Sequence, residues 1–217
     1  VGTLILVRHG QSTYNAENRF TGWVDCGLTP RGEEEAAKAA RAIADDGLSP
    51  DVCITSVLER AITTAEIILH ELGRPWLPVL RSWRLNERHY GALQGLNKAE
   101  TAARYGDEQV KLWRRSYAVR PPETDEEAQR ALHADERYRM LPLELVPRSE
   151  ALADVVVRVL PYYYDVIVPL LWEGHTVLVS AHGNSLRGLV KVLRGLTDDE
   201  VVSLEIANGE PLVFSVP

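Results

Sequence analysis

Two histidine–glycine pairs occupy equivalent places in the chain. His9-Gly10 follows the apolar run Thr3 to Val7 (TLILV), and His182-Gly183 follows Thr176 to Ser180 (TVLVS). An imidazole at the end of a buried strand, beside a glycine that lets a ligand approach the backbone, is placed for nucleophilic or acid–base work. Arg8 precedes the first pair, and between Arg81 and Arg120 lie Arg84, Arg88, Lys98, Arg104, Lys111, Arg114 and Arg115 against few carboxylates. Guanidinium forks match the paired oxygens of phosphate and carboxylate, so this stretch suits a small anion; a solvated helix face is the competing account. Neither histidine has an HxxxH partner, an Asp/Glu cluster or a cysteine set beside it, and no metal is expected. Phosphoryl transfer without a metal needs a side-chain nucleophile and fixed positive charge. His9 between Arg8 and Arg60 meets that need, because neighbouring guanidinium groups disfavour protonation of the imidazole and neutralise phosphoryl oxygens. His182 can then donate to the same oxygens, and a metaphosphate-like transition state asks for little beyond alignment and electrostatics.

The elements that must position these residues alternate. After the first apolar run, Thr29-Pro30 marks a helix start, with a capping hydroxyl, proline at the first helical position and Glu33 to Glu35 at the positive dipole end; the helix runs to about Asp45. Val52 to Thr55 reads as a strand, Ser56 as the cap of a helix through about Leu72, and Trp76 to Leu80 as a further short strand. This βαβα order predicts an α/β fold with a mostly parallel central sheet and helices on both faces, in one domain over residues 1–217. Residues 81–148 interrupt the alternation with a charged, proline-punctuated insertion, predicted to cover a site as a lid or wall. Helical pattern resumes from Ser149 to about Leu171, where Pro161 and Pro169 should kink or end it. A helix follows the second His-Gly pair, and its start near Ser185 can aim free N–H groups at an anion. Both pairs thus fall at the carboxyl edge of the sheet, where ligands bind in such folds.

Bulk properties narrow the class. The 217 residues are 45% hydrophobic and 25% charged, an ordinary globular composition. A net charge of −7 argues against a nucleic-acid surface. No run reaches the about 18 uninterrupted apolar residues of a membrane span, and the first residues lack signal-peptide flanks, so a cytoplasmic protein without a membrane partner is expected. Cys26 and Cys53 exclude a disulfide framework and a Cys-rich zinc site.

Leu6-Val7-Arg8-His9-Gly10 with Ser12 and Asn15 resembles the signature of the histidine phosphatase superfamily. Asn18 to Trp23 (NRFTGW), Leu85 to Lys98 (LNERHYGALQGLNK) and Ala181 to Leu186 (AHGNSL) are similar to its cofactor-dependent phosphoglycerate mutase branch, and the likeness extends over nearly the whole chain. The resemblance implies a phosphohistidine at His9, Glu87 as proton donor and acceptor for a substrate hydroxyl, His182 as transition-state stabiliser, and Arg8 and Arg60 on the transferring phosphoryl group. It implies substrate contacts from Gly10, Gln11, Ser12, Thr13, Tyr14, Asn15, Thr21, Gly22, Arg88, His89, Tyr90, Lys98, Arg114, Arg115, Gly183 and Asn184. The reaction implied interconverts 3- and 2-phosphoglycerate, a step of glycolysis and gluconeogenesis, with 2,3-bisphosphoglycerate as primer and no metal. A homodimer and a homotetramer both stay open.

Alternatives remain at this level. Glu87 can pair with Arg84 or Arg88 on a surface, Tyr90 can be core, and Arg114 and Arg115 can be solvated helix charges. The whole chain can be a phosphatase using the same histidine, a bisphosphoglycerate mutase or phosphatase, or a non-enzymatic sensor of phosphorylated metabolites. Lys98, Arg114 and Arg115 discriminate, since a general phosphatase does not need them. The sequence departs from the branch at Gln11, where glutamate is usual, and at Ala207-Asn208, where a Pro-Thr pair is usual. It begins at Val1 and stops at Pro217, where the branch carries a longer tail; residues beyond these ends are expected, and a genuinely short form stays open.

Overall fold

The structure is a computed structural model describing residues 1–217. In chain order the elements are β1 (Gly2–Arg8), α1 (Thr13–Ala16), α2 (Pro30–Asp45), β2 (Val52–Thr55), α3 (Glu59–Glu71), β3 (Val79–Arg81), α4 (Lys98–Tyr105), α5 (Asp107–Arg115), α6 (Glu126–His133), α7 (Leu152–Tyr162), α8 (Val168–Trp172), β4 (Thr176–Ala181), α9 (Gly183–Arg194), α10 (Asp198–Ser203) and β5 (Leu212–Val216). The sheet order is β3-β2-β4-β1-β5, with β1, β4, β2 and β3 parallel and β5 antiparallel on the edge of β1. The mostly parallel sheet predicted from the alternation is present. Its central strands β1, β2 and β4 bury both faces, as their unbroken apolar runs require. Leu4, Leu6, Val177 and Val179 face α7 and α9, whereas Ile5, Val7, Cys53 and Leu178 face α2 and α3.

Register places the two histidines side by side. Val7 pairs with Ser180 and Arg8 with Ala181, so His9 and His182 each sit one residue beyond the paired strands. The His9 amide donates to the Ala181 carbonyl at 3.0 Å and ties the two ends together.

Helix α2 follows its sequence signals, with the Thr29 hydroxyl accepting from the Gly32 amide at 3.1 Å. Three elements differ from expectation. Helix α3 begins at Glu59 after Leu58, because the Ser56 hydroxyl is engaged by His182 from the neighbouring strand and does not cap a helix. Strand β3 is Val79–Arg81, since Leu77 is held in a turn by the Arg74 carbonyl. Around the two prolines the helix does not stop. A π turn over Tyr163–Ile167 joins α7 to α8, and the Val168 amide reaches back five residues to the Tyr163 carbonyl. The turn accommodates prolines that have no N–H for the regular ladder. The composite Leu152–Trp172 is long and apolar enough to cross a membrane by length and composition, but Val155, Val159, Tyr163, Ile167 and Leu171 are buried in the sheet's core.

The insertion after β3 carries α4, α5 and α6 and short 3-10 turns at Trp83–Leu85, Gly91–Leu93 and Leu143–Leu145. It brings Glu87, Tyr90, Lys98, Arg114 and Arg115 to the carboxyl edge, the wall role predicted for it.

Candidate active site

The His9 ring is buried, and its Nδ1 lies 2.6 Å from the Gly10 carbonyl oxygen. Only an Nδ1–H can bond to a carbonyl, so the proton is on Nδ1 and the Nε2 lone pair is free. Burial, then the charges of Arg60 and Arg8, hold the imidazole well below the usual histidine pKa, so it stays neutral and nucleophilic. The backbone around it is pinned by α3 and by the segment before β5. The Gly10 amide donates to the Thr64 hydroxyl at 3.1 Å, and the Asn208 side-chain amide donates to the His9 carbonyl at 2.7 Å. The Gly209 amide adds a bond to the Arg8 carbonyl at 3.0 Å.

Three buried side-chain nitrogens have no hydrogen-bond partner: Arg8 Nε, Arg60 Nε and His182 Nδ1. The rest of each group is held. Arg8 Nη1 donates to the Ile206 carbonyl, and Arg60 donates to the carbonyls of Gly22 and Val24 at 2.7 and 2.9 Å. Gly22 takes φ +57° to present its carbonyl, a conformation that L side chains avoid. His182 Nε2 lies 2.7 Å from Ser56 Oγ, whose hydroxyl also accepts the Leu58 amide. With Ser56 donating to Nε2, the proton of neutral His182 is on Nδ1 and that atom is a donor. Burial, then the positive surroundings headed by Arg60, keep His182 neutral. Its ring centroid is 5.1 Å from that of His9. Buried donors are rarely left unpaired, and three of them around one histidine form an arrangement that can receive an oxyanion.

Glu87 is supplied by the insertion. Its Oε1 accepts the amides of Arg88 at 2.7 Å and Asn184 at 3.2 Å, which leaves Oε2 for a substrate proton. Its own carbonyl accepts from Trp23 Nε1 at 2.6 Å and Arg158 Nη2 at 2.9 Å. Arg158 is in turn paired with Glu150 at 2.7 Å, both side chains buried.

A cleft of about 230 Å3 is lined by Arg8, Glu87, Tyr90, Lys98, Arg114, Arg115, Gly183, Asn184, Arg187 and Glu205. All eight of these that the sequence singled out converge here from five different segments. Lys98 is pushed down to about 8 by burial and by the charges of Arg114, Arg8 and Arg115. The concentration of cations is uncompensated except by Glu87 and Glu205.

Other residues implied by the resemblance lie further back. Ser12 and Asn15 cap α1 reciprocally, each accepting the other's amide at 3.0 Å. Thr13 and Tyr14 belong to that same short helix, with the Arg19 guanidinium over the Tyr14 ring. Gln11 accepts the Thr29 hydroxyl at 2.8 Å, so its amide turns toward α2. Thr21 is buried beside Gly22. Arg88 directs its guanidinium at the carbonyls of Glu150, Trp113, Arg114 and Val119, closing the carboxyl end of α5. It therefore acts on the cleft through Arg114 and Arg115. His89 is buried and pushed down to about 3, chiefly by burial, and its Nδ1 accepts the Gly91 amide at 2.9 Å. Sequence reasoning missed Ser56, Arg158, Arg187, Glu205 and Asn208; of these only Asn208 carried a signal, as a departure from the branch pattern.

The pattern of the Histidine phosphatase superfamily (branch 1) matches residues 4–138. A 2,3-bisphosphoglycerate-dependent phosphoglycerate mutase of Thermobifida fusca is 57% identical over 216 residues, spanning 100% of this chain and 87% of that one. The enzyme of the same name from Nitratidesulfovibrio vulgaris is 56% identical over 214 residues, spanning 99% and 86%. Among solved structures, mycobacterial hydrolase 1 superposes with a TM-score of 0.75 at 25% identity over 98% of this chain and 88% of that one. A mycobacterial glucosyl-3-phosphoglycerate phosphatase superposes with a TM-score of 0.74 at 24% identity over 98% and 90%, a likeness of fold alone. The chain belongs to the 2,3-bisphosphoglycerate-dependent phosphoglycerate mutase family, within branch 1 of the histidine phosphatase superfamily.

Proposed function

We propose that the chain interconverts 3-phosphoglycerate and 2-phosphoglycerate through a phosphohistidine at His9, primed by 2,3-bisphosphoglycerate. The observation that carries the reading is the set of unpartnered buried donors. The three are Arg8 Nε, Arg60 Nε and His182 Nδ1, around the one imidazole whose Nε2 is free. The same atoms fit the primer, since a phosphate completes each of these donors while Lys98, Arg114 and Arg115 line the cleft toward its remaining anionic groups. When bound, 2,3-bisphosphoglycerate supplies the phosphoryl group that charges His9.

The chain's own residues then divide the work. His9 Nε2 carries the phosphoryl group, with Nδ1–H held on the Gly10 carbonyl so that the ring cannot turn. Arg8, Arg60 and His182 stabilise charge on the equatorial oxygens as the P–N bond breaks. Lys98, Arg114 and Arg115 hold the carboxylate and phosphate of 3-phosphoglycerate and so present its 2-hydroxyl in line, which replaces a bimolecular encounter by a fixed one. Glu87 Oε2 accepts the hydroxyl proton as the O–P bond forms. After the acceptor reorients, transfer of its 3-phosphoryl group back to His9 Nε2 runs the same steps in reverse, with Glu87 returning the proton. The cycle consumes no net phosphate. A cytoplasmic location and a homodimer or homotetramer accompany this reading.

An enolase-coupled assay tests it: phosphoenolpyruvate formation from 3-phosphoglycerate should rise on adding 2,3-bisphosphoglycerate and vanish in His9→Ala. Release of inorganic phosphate faster than formation of 2-phosphoglycerate would overturn the mutase in favour of a phosphatase.

A further inference from the structure

The segment Leu204 to Gly209, between α10 and β5, contacts Arg8, His9, Arg115 and Arg187 of the anion site. The Leu204 carbonyl accepts from Arg187 Nε at 2.8 Å, the Ile206 carbonyl from Arg8 Nη1 at 2.9 Å, and Asn208 donates to the His9 carbonyl at 2.7 Å. Its one charged side chain within the cleft is Glu205. That carboxylate accepts from Arg115 Nη1 at 3.0 Å through Oε1, and its Oε2 lies 4.0 Å from Arg187 Nη2. Arg187 is otherwise fixed, with Nη1 on the Asn184 side-chain oxygen at 3.0 Å. Glu205 thus sits between two guanidinium groups of the cleft, as an anion would.

We propose that Glu205 is a specificity-determining residue: a built-in carboxylate that occupies Arg115 and faces Arg187 until an incoming polyanion displaces it. The proposal deepens the mutase reading and rests on it for the identity of that polyanion. Glu205 is 72% exposed and Arg115 42%, so the pair is held loosely and can open without unfolding anything. A monoanion cannot replace the pair and also satisfy Lys98 and Arg114, whereas a ligand with two anionic ends can. Glu205 therefore weakens all anions but penalises singly charged ones most, and it lowers the affinity for product as well as substrate, which favours turnover.

Two accounts of the same contact make opposite predictions. If Glu205 competes, Glu205→Gln frees Arg115 and tightens polyanion binding; if Glu205 only holds Arg115 in place, the same change loosens binding. Titration calorimetry of tripolyphosphate, a polyanion that requires no turnover, should show roughly twofold to fivefold tighter binding to Glu205→Gln, the range that an exposed ion pair corresponds to. The KM for 3-phosphoglycerate should fall by a similar factor, and Glu205→Asp should lie between. If tripolyphosphate tightens while 3-phosphoglycerate is not turned over by the native chain, the role of Glu205 stands and the substrate assignment fails. Equal or weaker tripolyphosphate binding in Glu205→Gln, with the thermal unfolding midpoint unchanged, overturns the proposal.

Discussion

Ser56 Oγ lies 2.7 Å from His182 Nε2, a contact between the ends of β2 and β4 across 126 residues of sequence. With the Ser56 hydroxyl as the donor in this contact, Nδ1 is the protonated nitrogen of the neutral ring, and it has no other partner. Removing the hydroxyl frees the tautomer and the ring orientation together. Ser56→Ala should lower kcat by about tenfold to a hundredfold, the equivalent of about 1.5–3 kcal/mol in transition-state stabilisation. KM should move little, and Ser56→Thr should restore most of the rate. A Ser56→Ala enzyme with native kcat would remove Ser56 from the positioning of His182.

The neutral histidines set a pH dependence of stability. His9 and His182 lie well below the usual histidine value and His89 near 3, all chiefly through burial. Each is depressed on folding, so the unfolded chain binds protons that the folded chain refuses once pH falls below about 6.5. Folding stability is then complete above that pH and drops below it by about 1.4 kcal/mol per pH unit for each histidine. Urea unfolding at pH 7.5, 6.5 and 5.5 measures the slope. His89→Asn should remove one proton from it, because the Asn side-chain oxygen can accept the Gly91 amide in place of Nδ1.

Lys98 supplies a second pH effect, on binding rather than folding. Its ammonium is pushed down to about 8 by burial and by Arg114, Arg8 and Arg115, so the free enzyme loses this charge across pH 8. An anionic substrate stabilises the charged form, and kcat/KM for 3-phosphoglycerate should therefore decline above pH 8 through a rise in KM. Lys98→Arg keeps its charge throughout, and its KM profile should be flat to pH 9.5. A decline of the same shape in that variant would assign the titration to another group.

Much of the site was legible because its chemistry is carried by short strings at strand ends. Apolar runs placed Arg8-His9-Gly10 and Ala181-His182-Gly183 at one edge, and the Leu85 to Lys98 string announced Glu87 and Lys98. What escaped notice acts across long sequence separations and through the backbone. Arg187 and Asn208 bond to carbonyls and side chains that no local periodicity connects to them, and Ser56 looked like a helix cap because serine before a helix usually is one. Arg88 shows the converse: a conspicuous arginine within the string, implied by resemblance as a substrate contact, directs its guanidinium at four carbonyl oxygens.

Arg158 is the strongest test of how far such supports matter to chemistry. It pairs with buried Glu150 at 2.7 Å and donates to the carbonyls of Arg84 at 2.7 Å and Glu87 at 2.9 Å, so it holds both the ion pair and the loop that presents Glu87. Arg158→Met leaves the Glu150 charge buried and unpaired, which should cost about 3–5 kcal/mol. For a chain of this length the unfolding midpoint should fall by roughly 6–20 °C. Pairing it with Glu150→Gln removes the stranded charge while keeping an Oε1 that can accept the His89 amide, so most of the lost stability should return. Activity should not return with it. The Glu87 carbonyl would still lack its Arg158 donor, and the carboxylate would be less well placed to take the 2-hydroxyl proton, so kcat should stay about tenfold low in both variants. Calorimetry and initial rates on the two proteins separate these effects: recovery of kcat in step with the midpoint would mean that Arg158 serves folding alone.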